Sequence, residues 1–118
     1  MSTTTSMTTW NDFAAQAPEL AALAATRIRA HGLALLATIR ADGSPRISGL
    51  EPLITAGHLW LGMMPDSRKV ADLERDPRFA LHNATIDKGV TDGDVKINGQ
   101  VVPVPDGSPD IDVCRTAF

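Results

Sequence analysis

The stretch from Met63 to His82, MMPDSRKVADLERDPRFALH, constrains the fold more than any other part of the sequence. It reads as the end of a strand, a tight loop, a short helix and the start of another strand. Pro65 and Asp66 break the first strand. Asp66 or Ser67 suits the N-cap, because a side-chain oxygen there accepts from the free N–H groups of the first turn. Val70, Ala71 and Leu73 give the helix a short apolar face. Asp76-Pro77 ends it, since the residue before a proline is pushed out of the helical region.

The placement of Arg68 and Lys69 in the first turn runs against the helix dipole. Cations at that end cost a few tenths of a kcal/mol, up to ~1. A bound anion reverses the sign, because backbone N–H groups, a capping hydroxyl and two cations then converge on it. The alternative is two solvated charges on a surface turn, offset by Asp66, Asp72 and Glu74. The residues alone leave both readings open.

The remaining pattern predicts one small domain over residues 9–118, preceded by a disordered leader over residues 1–8. Thr9 caps a helix that carries Trp10, Phe13, Ala14 and Ala17 on one side. Pro18 opens a second helix, with Leu20, Leu23, Ala24 and Ile28 at helical spacing and Gly32 as C-cap. From Leu33 the period becomes that of strands. Leu33 to Arg40 is apolar on both faces and predicts a strand covered on both sides. Ala41-Asp42-Gly43-Ser44 is a hairpin turn. A return strand runs from Pro45 to about Thr55, interrupted by Gly49 and Pro52, with a bulge or close approach expected at the glycine. His58 to Met63 is a third strand, with Leu59, Leu61 and Met63 on one face and Trp60 on the other. Phe79 to Thr85 is a fourth and Asp94 to Val104 a fifth, with a glycine bulge at Gly99. Ile86 to Gly93 is a loop between them. Residues Ile111 to Phe118 begin a sixth. The fold class is mainly β with α: a small antiparallel split β-barrel in meander order, with an N-terminal helical segment and one short helix between the third and fourth strands.

Several chemistries are absent from the pattern. There is no P-loop, no GxGxxG after a strand, no HExxH and no CxxC. His31, His58 and His82 are isolated, so no metal site is expected. Ser44, Ser48 and Ser67 lack a neighbouring His and acid, and no catalytic residue stands out. Glu51 and Asp94 read as solvated. A net charge of −3 and the absence of tyrosine argue against a nucleic-acid partner. No apolar run approaches the ~20 residues of a membrane span. A single cysteine, Cys114, and a first segment without a signal-peptide pattern predict a cytoplasmic protein.

With those elements placed, the chain resembles the pyridoxamine 5′-phosphate oxidase-like family of FMN-binding split barrels, some of which use the deazaflavin coenzyme F-420. The matching residues are LLATIRADGSPRIS (Leu35 to Ser48), HLWLGMMPDSRKVADLERDPRFALH (His58 to His82) and GDVKINGQVV (Gly93 to Val102). The resemblance implies that Arg68 and Lys69, with Ser67 beside them, hold the cofactor phosphate. It implies that Ser48, Gly49 and Leu50 run along the isoalloxazine and phosphate, and that Gly62 and Met63 lie against the cofactor. It further implies a homodimer with cofactors at the subunit interface, and so an apolar face carrying Trp60 or the residues around Leu50. The implied function is a flavin- or deazaflavin-dependent oxidoreductase acting on a small molecule. The alternative is a non-enzymatic flavin- or haem-binding module, or a degenerate dimer without cofactor. The vitamin-making oxidases carry an arginine where this chain has Ser48, a lysine near Leu53 and a glutamine where it has Asp94. The family also has a further strand or two beyond the point matching Phe118, so either the domain is truncated at its C-terminus or the dimer covers an exposed edge.

Overall fold

A computed structural model describes residues 9–104 and Pro109. The expected leader, the sixth strand and Cys114 lie outside the described residues. Helix α1 (Trp10–Gln16) opens at Thr9, whose Oγ1 accepts from the amide of Asp12 at 3.2 Å. Ala17 leaves the helical region and Pro18 starts α2 (Pro18–His31), where the missing N–H of proline costs no hydrogen bond. Gly32 ends α2 at φ 68°, a left-handed conformation that glycine adopts without steric penalty.

The buried stripe of α2 is Ala21, Ala24, Ala25 and Ile28, spaced i, i+3, i+4 and i+7. Leu20 and Leu23, expected on the buried side, are 58% and 65% exposed. The small side chains let the helix axis approach the sheet closely, and the stripe is rotated away from both leucines. Arg29 Nη2 donates to the carbonyl of Ile54 at 3.0 Å and ties α2 to the sheet beneath. Trp10 meets Phe13 edge-on, ring centres 5.4 Å apart, and rests against Ala25, Ile28 and Ile54.

Six strands follow among the described residues: β1 (Ala34–Ile39), β2 (Pro45–Leu50), β3 (Pro52–Thr55), β4 (His58–Leu61), β5 (Arg78–Asn83) and β6 (Lys96–Gln100), with α3 (Arg68–Arg75) between β4 and β5. All strand pairs are antiparallel, in a four-stranded sheet ordered β2-β1-β5-β6 and a two-stranded sheet of β3 and β4. This is a split-barrel arrangement that does not close among the described residues, and its order departs from the expected meander because β1 also pairs with β5.

The return strand expected over residues 45–55 is two strands in different sheets. The chain switches sheets at Glu51, just before Pro52, whose nitrogen has no hydrogen to continue a ladder. Gly49 is not a bulge: it pairs in register with Leu35, and a side chain there would meet open space. Gly99 is not a bulge either. It pairs with Phe79, whose ring lies across it; a Cβ at Gly99 would sit 3.1 Å from Phe79 Cε1. The glycine makes room for the ring.

The inner face of the large sheet joins β4 and α3 in one cluster, with Ala34, Leu36, Leu50, Leu73 and Leu81 buried and Leu61, Met63 and Phe79 packed around them. Leu59 and Ile97 bridge it to the cluster under α2. Among the described residues β1 is not covered on both sides. Its outward Leu35 is 50% exposed, and Ile47 on β2 is 71% exposed, whereas Leu50 and Trp60 are buried. The apolar face therefore lies on the outer side of the β1–β2 hairpin. Trp60 instead turns inward and donates from Nε1 to the carbonyl of Thr55 at 3.1 Å.

Candidate functional site: an arginine-lined cleft

Helix α3 lies over β1 and carries its polar residues toward the hairpin. Ser67 is the N-cap, its Oγ accepting from the amide of Val70 at 3.4 Å. Spacing of i, i+3, i+4 and i+7 puts Arg68, Ala71, Asp72 and Arg75 on one stripe. These four line a cleft whose other wall is Arg40, Ala41 and Asp42 of the hairpin turn and Arg46 of β2. The cleft is open and holds about 470 Å³.

Asp72 anchors the cleft floor. It is 2% exposed, yet held by groups from three elements. Thr38 Oγ1 and Arg46 Nε both donate to its Oδ2 at 2.7 Å, and Arg75 Nη1 stands 3.6 Å from Oδ1. Thr38 and Arg46 face each other across the β1–β2 ladder, so the sheet register brings both to the same carboxylate. The hydrogen bond from Arg46 holds the Asp72 carboxyl below the usual carboxylate range. Burial opposes it, but the Thr38 hydrogen bond and the charges of Arg46 and Arg75 add to the lowering. Asp72 is therefore ionised at neutral pH.

The other cleft carboxylate is also engaged. Asp42 accepts from Ser44 Oγ at 2.6 Å and from its amide at 2.9 Å, and these bonds hold its carboxyl below the ordinary value. Four guanidiniums against two carboxylates leave the cleft two positive charges in excess. Arg68 hydrogen-bonds to nothing among the described residues, and Arg46 bonds only through Nε, so its two terminal nitrogens are free there. Such a donor set suits an oxyanion bound by paired N–H groups.

The structure brings some of the expected residues together and separates others. Arg68 stands at the cleft, whereas Ser67, the cap residue before it, is not among the lining residues. Lys69 is one position round the helix and does not line it. Ser48 shares the inward face of β2 with Arg46, one alternation further on. Leu50 is in the core, Gly49 faces outward, and Gly62 and the half-buried Met63 follow the end of β4. Sequence reasoning missed Thr38, Arg40, Arg46, Asp72 and Arg75. The signal for Asp72 and Arg75 was helical spacing from Arg68. Nothing in the sequence singled out Arg46, which stands on β2 two residues before Ser48, the position where the vitamin-making oxidases carry an arginine. Elsewhere, Asp94, read as solvated, pairs with His82 Nε2 at 3.4 Å. No group of three metal-ligating side chains occurs among the described residues.

Fold and site together define a split-barrel protein of mixed α and β structure. The sequence profile of pyridoxamine 5′-phosphate oxidase matches residues 20–116, and the chain belongs to that family. No curated protein matches it. Among solved structures it is similar to a conserved hypothetical protein of Mycobacterium tuberculosis, at 29% identity and TM-score 0.57, covering 67% of this chain and 48% of that one. The chain thus spans about half the length of that relative. It is similar in fold to the haem storage protein of Vibrio cholerae, at 17% identity and TM-score 0.64, covering 86% and 72% of the two chains. A protein described as F-420 reductase matches at 21% identity and TM-score 0.55, covering 72% and 67%.

Proposed function

We propose that this chain binds a flavin-type cofactor, FMN or the deazaflavin F-420, by its phosphate in the arginine cleft, and acts as an oxidoreductase on a small molecule. One observation carries the reading: Arg68, unpaired at the start of α3, and the free terminal nitrogens of Arg46 line one cleft with a positive excess. A phosphate dianion would neutralise that excess. Family membership and the likeness to an F-420 reductase support a flavin-type group.

Arg68, Arg46 and the first turn of α3 would hold the phosphate, with Lys69 adding charge at the same helix end. The backbone of Ser48, Gly49 and Leu50 would lie along the ring, and Gly62 and Met63 would pack against it. The cofactor supplies hydride chemistry when bound; the protein supplies binding and orientation. The cleft's ionisable side chains are arginines and internally bonded aspartates, so no proton donor is assigned to them. The exposed outer face of the β1–β2 hairpin would be covered by a second copy in a homodimer. No helix among the described residues is long and apolar enough to cross a membrane, and we place the protein in the cytoplasm on its single cysteine.

The absorption spectrum of the purified protein, mixed with FMN or F-420 and then with a reductant, tests this. Bound, reducible cofactor is expected. A second reading, a haem-binding module, draws on the likeness to a haem storage protein. A Soret band on adding haem, with no flavin binding, would replace the first reading with the second.

A further inference from the structure

We propose that Asp72 is the positioning residue of the cleft: by gripping Arg46 at Nε it aims both terminal nitrogens of that arginine, alongside Arg68, at a doubly charged terminal phosphate. The inference deepens the cofactor reading and rests on the cleft being its phosphate site, but it makes a separate claim about how the site is built. A guanidinium bound through Nε has its rotation about the last side-chain bonds fixed, and its outer edge becomes a preset fork. Thr38 holds the same carboxylate oxygen from β1, and Arg75 approaches the other oxygen from one turn along α3. Three elements, β1, β2 and α3, therefore set the direction of one guanidinium. Arg75 is itself tied to the carbonyl of Ile39 at 3.3 Å, and Arg40 leans on Ser44 Oγ at 3.5 Å. Arg46 and Arg68 are left as the two arginines with free forks. A buried carboxylate behind an anion site is otherwise a poor choice, because its charge repels the ligand.

That repulsion gives the test its sign. If Asp72 merely tempers the charge of the cleft, Asp72→Asn should tighten anion binding. If it positions Arg46, Asp72→Asn should weaken it although the cleft becomes more positive. The probes are inorganic phosphate, FMN and riboflavin, which has the same ring without the phosphate. Affinities are read by flavin fluorescence and, for phosphate, by the concentration-dependent rise of the thermal midpoint. For Asp72→Asn, FMN and phosphate affinities are expected to fall about tenfold to a hundredfold, with riboflavin affinity unchanged. Arg46→Lys keeps the charge at a partly exposed position, so it guards against a folding failure of the first variant. A lysine cannot grip Asp72 and present a fork at once, so the same loss is expected. The double variant should lose no more than either single one, since both break one arrangement.

Phosphate affinity in Asp72→Asn or Arg46→Lys equal to or above that of the wild type overturns the proposal, as does a wild type that binds neither phosphate nor FMN. A wild type that binds phosphate but no flavin, with the expected loss in both variants, refutes the cofactor reading while sustaining this one.

Discussion

A single carboxylate shows how charge is managed at the residue scale. Asp72 sits almost out of water, and its hydrogen bonds from Arg46 and Thr38 keep it ionised. Removing one partner strands a buried charge, so Arg46→Ala should destabilise the fold by about 3 kcal/mol, measured by urea denaturation at neutral pH. The same bonds set an acid limb. Folding lowers the pKa of Asp72, chiefly through Arg46, and that of Asp76 to about 2, chiefly through the side-chain hydrogen bond from Arg78. A depressed carboxyl stabilises the fold above its unfolded value of 3.8 and loses that contribution as pH falls through the folded one. Stability should therefore hold down to about pH 5 and drop below pH 4. In Asp72→Asn the drop should be shallower, and the gap to wild type should shrink with acidification. A gap that stays constant between pH 7 and pH 3 would contradict the assignment. Gly99 is a different case, where the reason is space. Gly99→Ala pushes a methyl against Phe79 and should cost about 1–2 kcal/mol, whereas Gly49→Ala, which meets nothing, should not disturb packing.

At the scale of elements, what was legible was what is local. The caps at Thr9 and Ser67, the proline start of α2, the Gly32 stop and the Asp76-Pro77 stop each depend on neighbours within a few positions, and each stands where the pattern placed it. Ser67→Ala should cost about 1 kcal/mol through loss of its bond to the Val70 amide, checked by thermal unfolding. Features set by register or by packing between elements were not legible. Arg46 enters the cleft only because β2 pairs with β1 in the register that puts it opposite Thr38. Leu20 and Leu23 satisfy helical periodicity, yet the alanine stripe faces the sheet, because close approach of helix and sheet selects small residues. The break at Glu51 looked like an irregular strand because the second sheet that receives β3 is visible only in three dimensions. Arg68 was readable as an oddity of charge, and helical spacing set Asp72 and Arg75 beside it, while Arg40 and Arg46 come from the hairpin and were not readable as its companions.

Across the molecule as a whole, one sheet face is bare among the described residues. Leu35 and Ile47 stand on the outer side of β1 and β2, opposite the face that holds the core. Exposed apolar side chains clustered on one sheet face mark an interaction surface, and a homodimer built there would give β1 the two-sided cover its composition calls for. Ile47→Asp should then shift the protein from dimer to monomer in analytical ultracentrifugation, with the circular dichroism of the fold retained; an unchanged mass distribution would place the interface elsewhere. The central question is whether the start of α3 receives an anionic cofactor. The most direct measurement is a fluorescence titration of the wild type and of Arg68→Ala/Lys69→Ala with FMN and with F-420. Affinity for at least one of the two should fall by tenfold or more in the double variant, on the order expected for lost charge-assisted bonds, while unchanged affinity for both would contradict it.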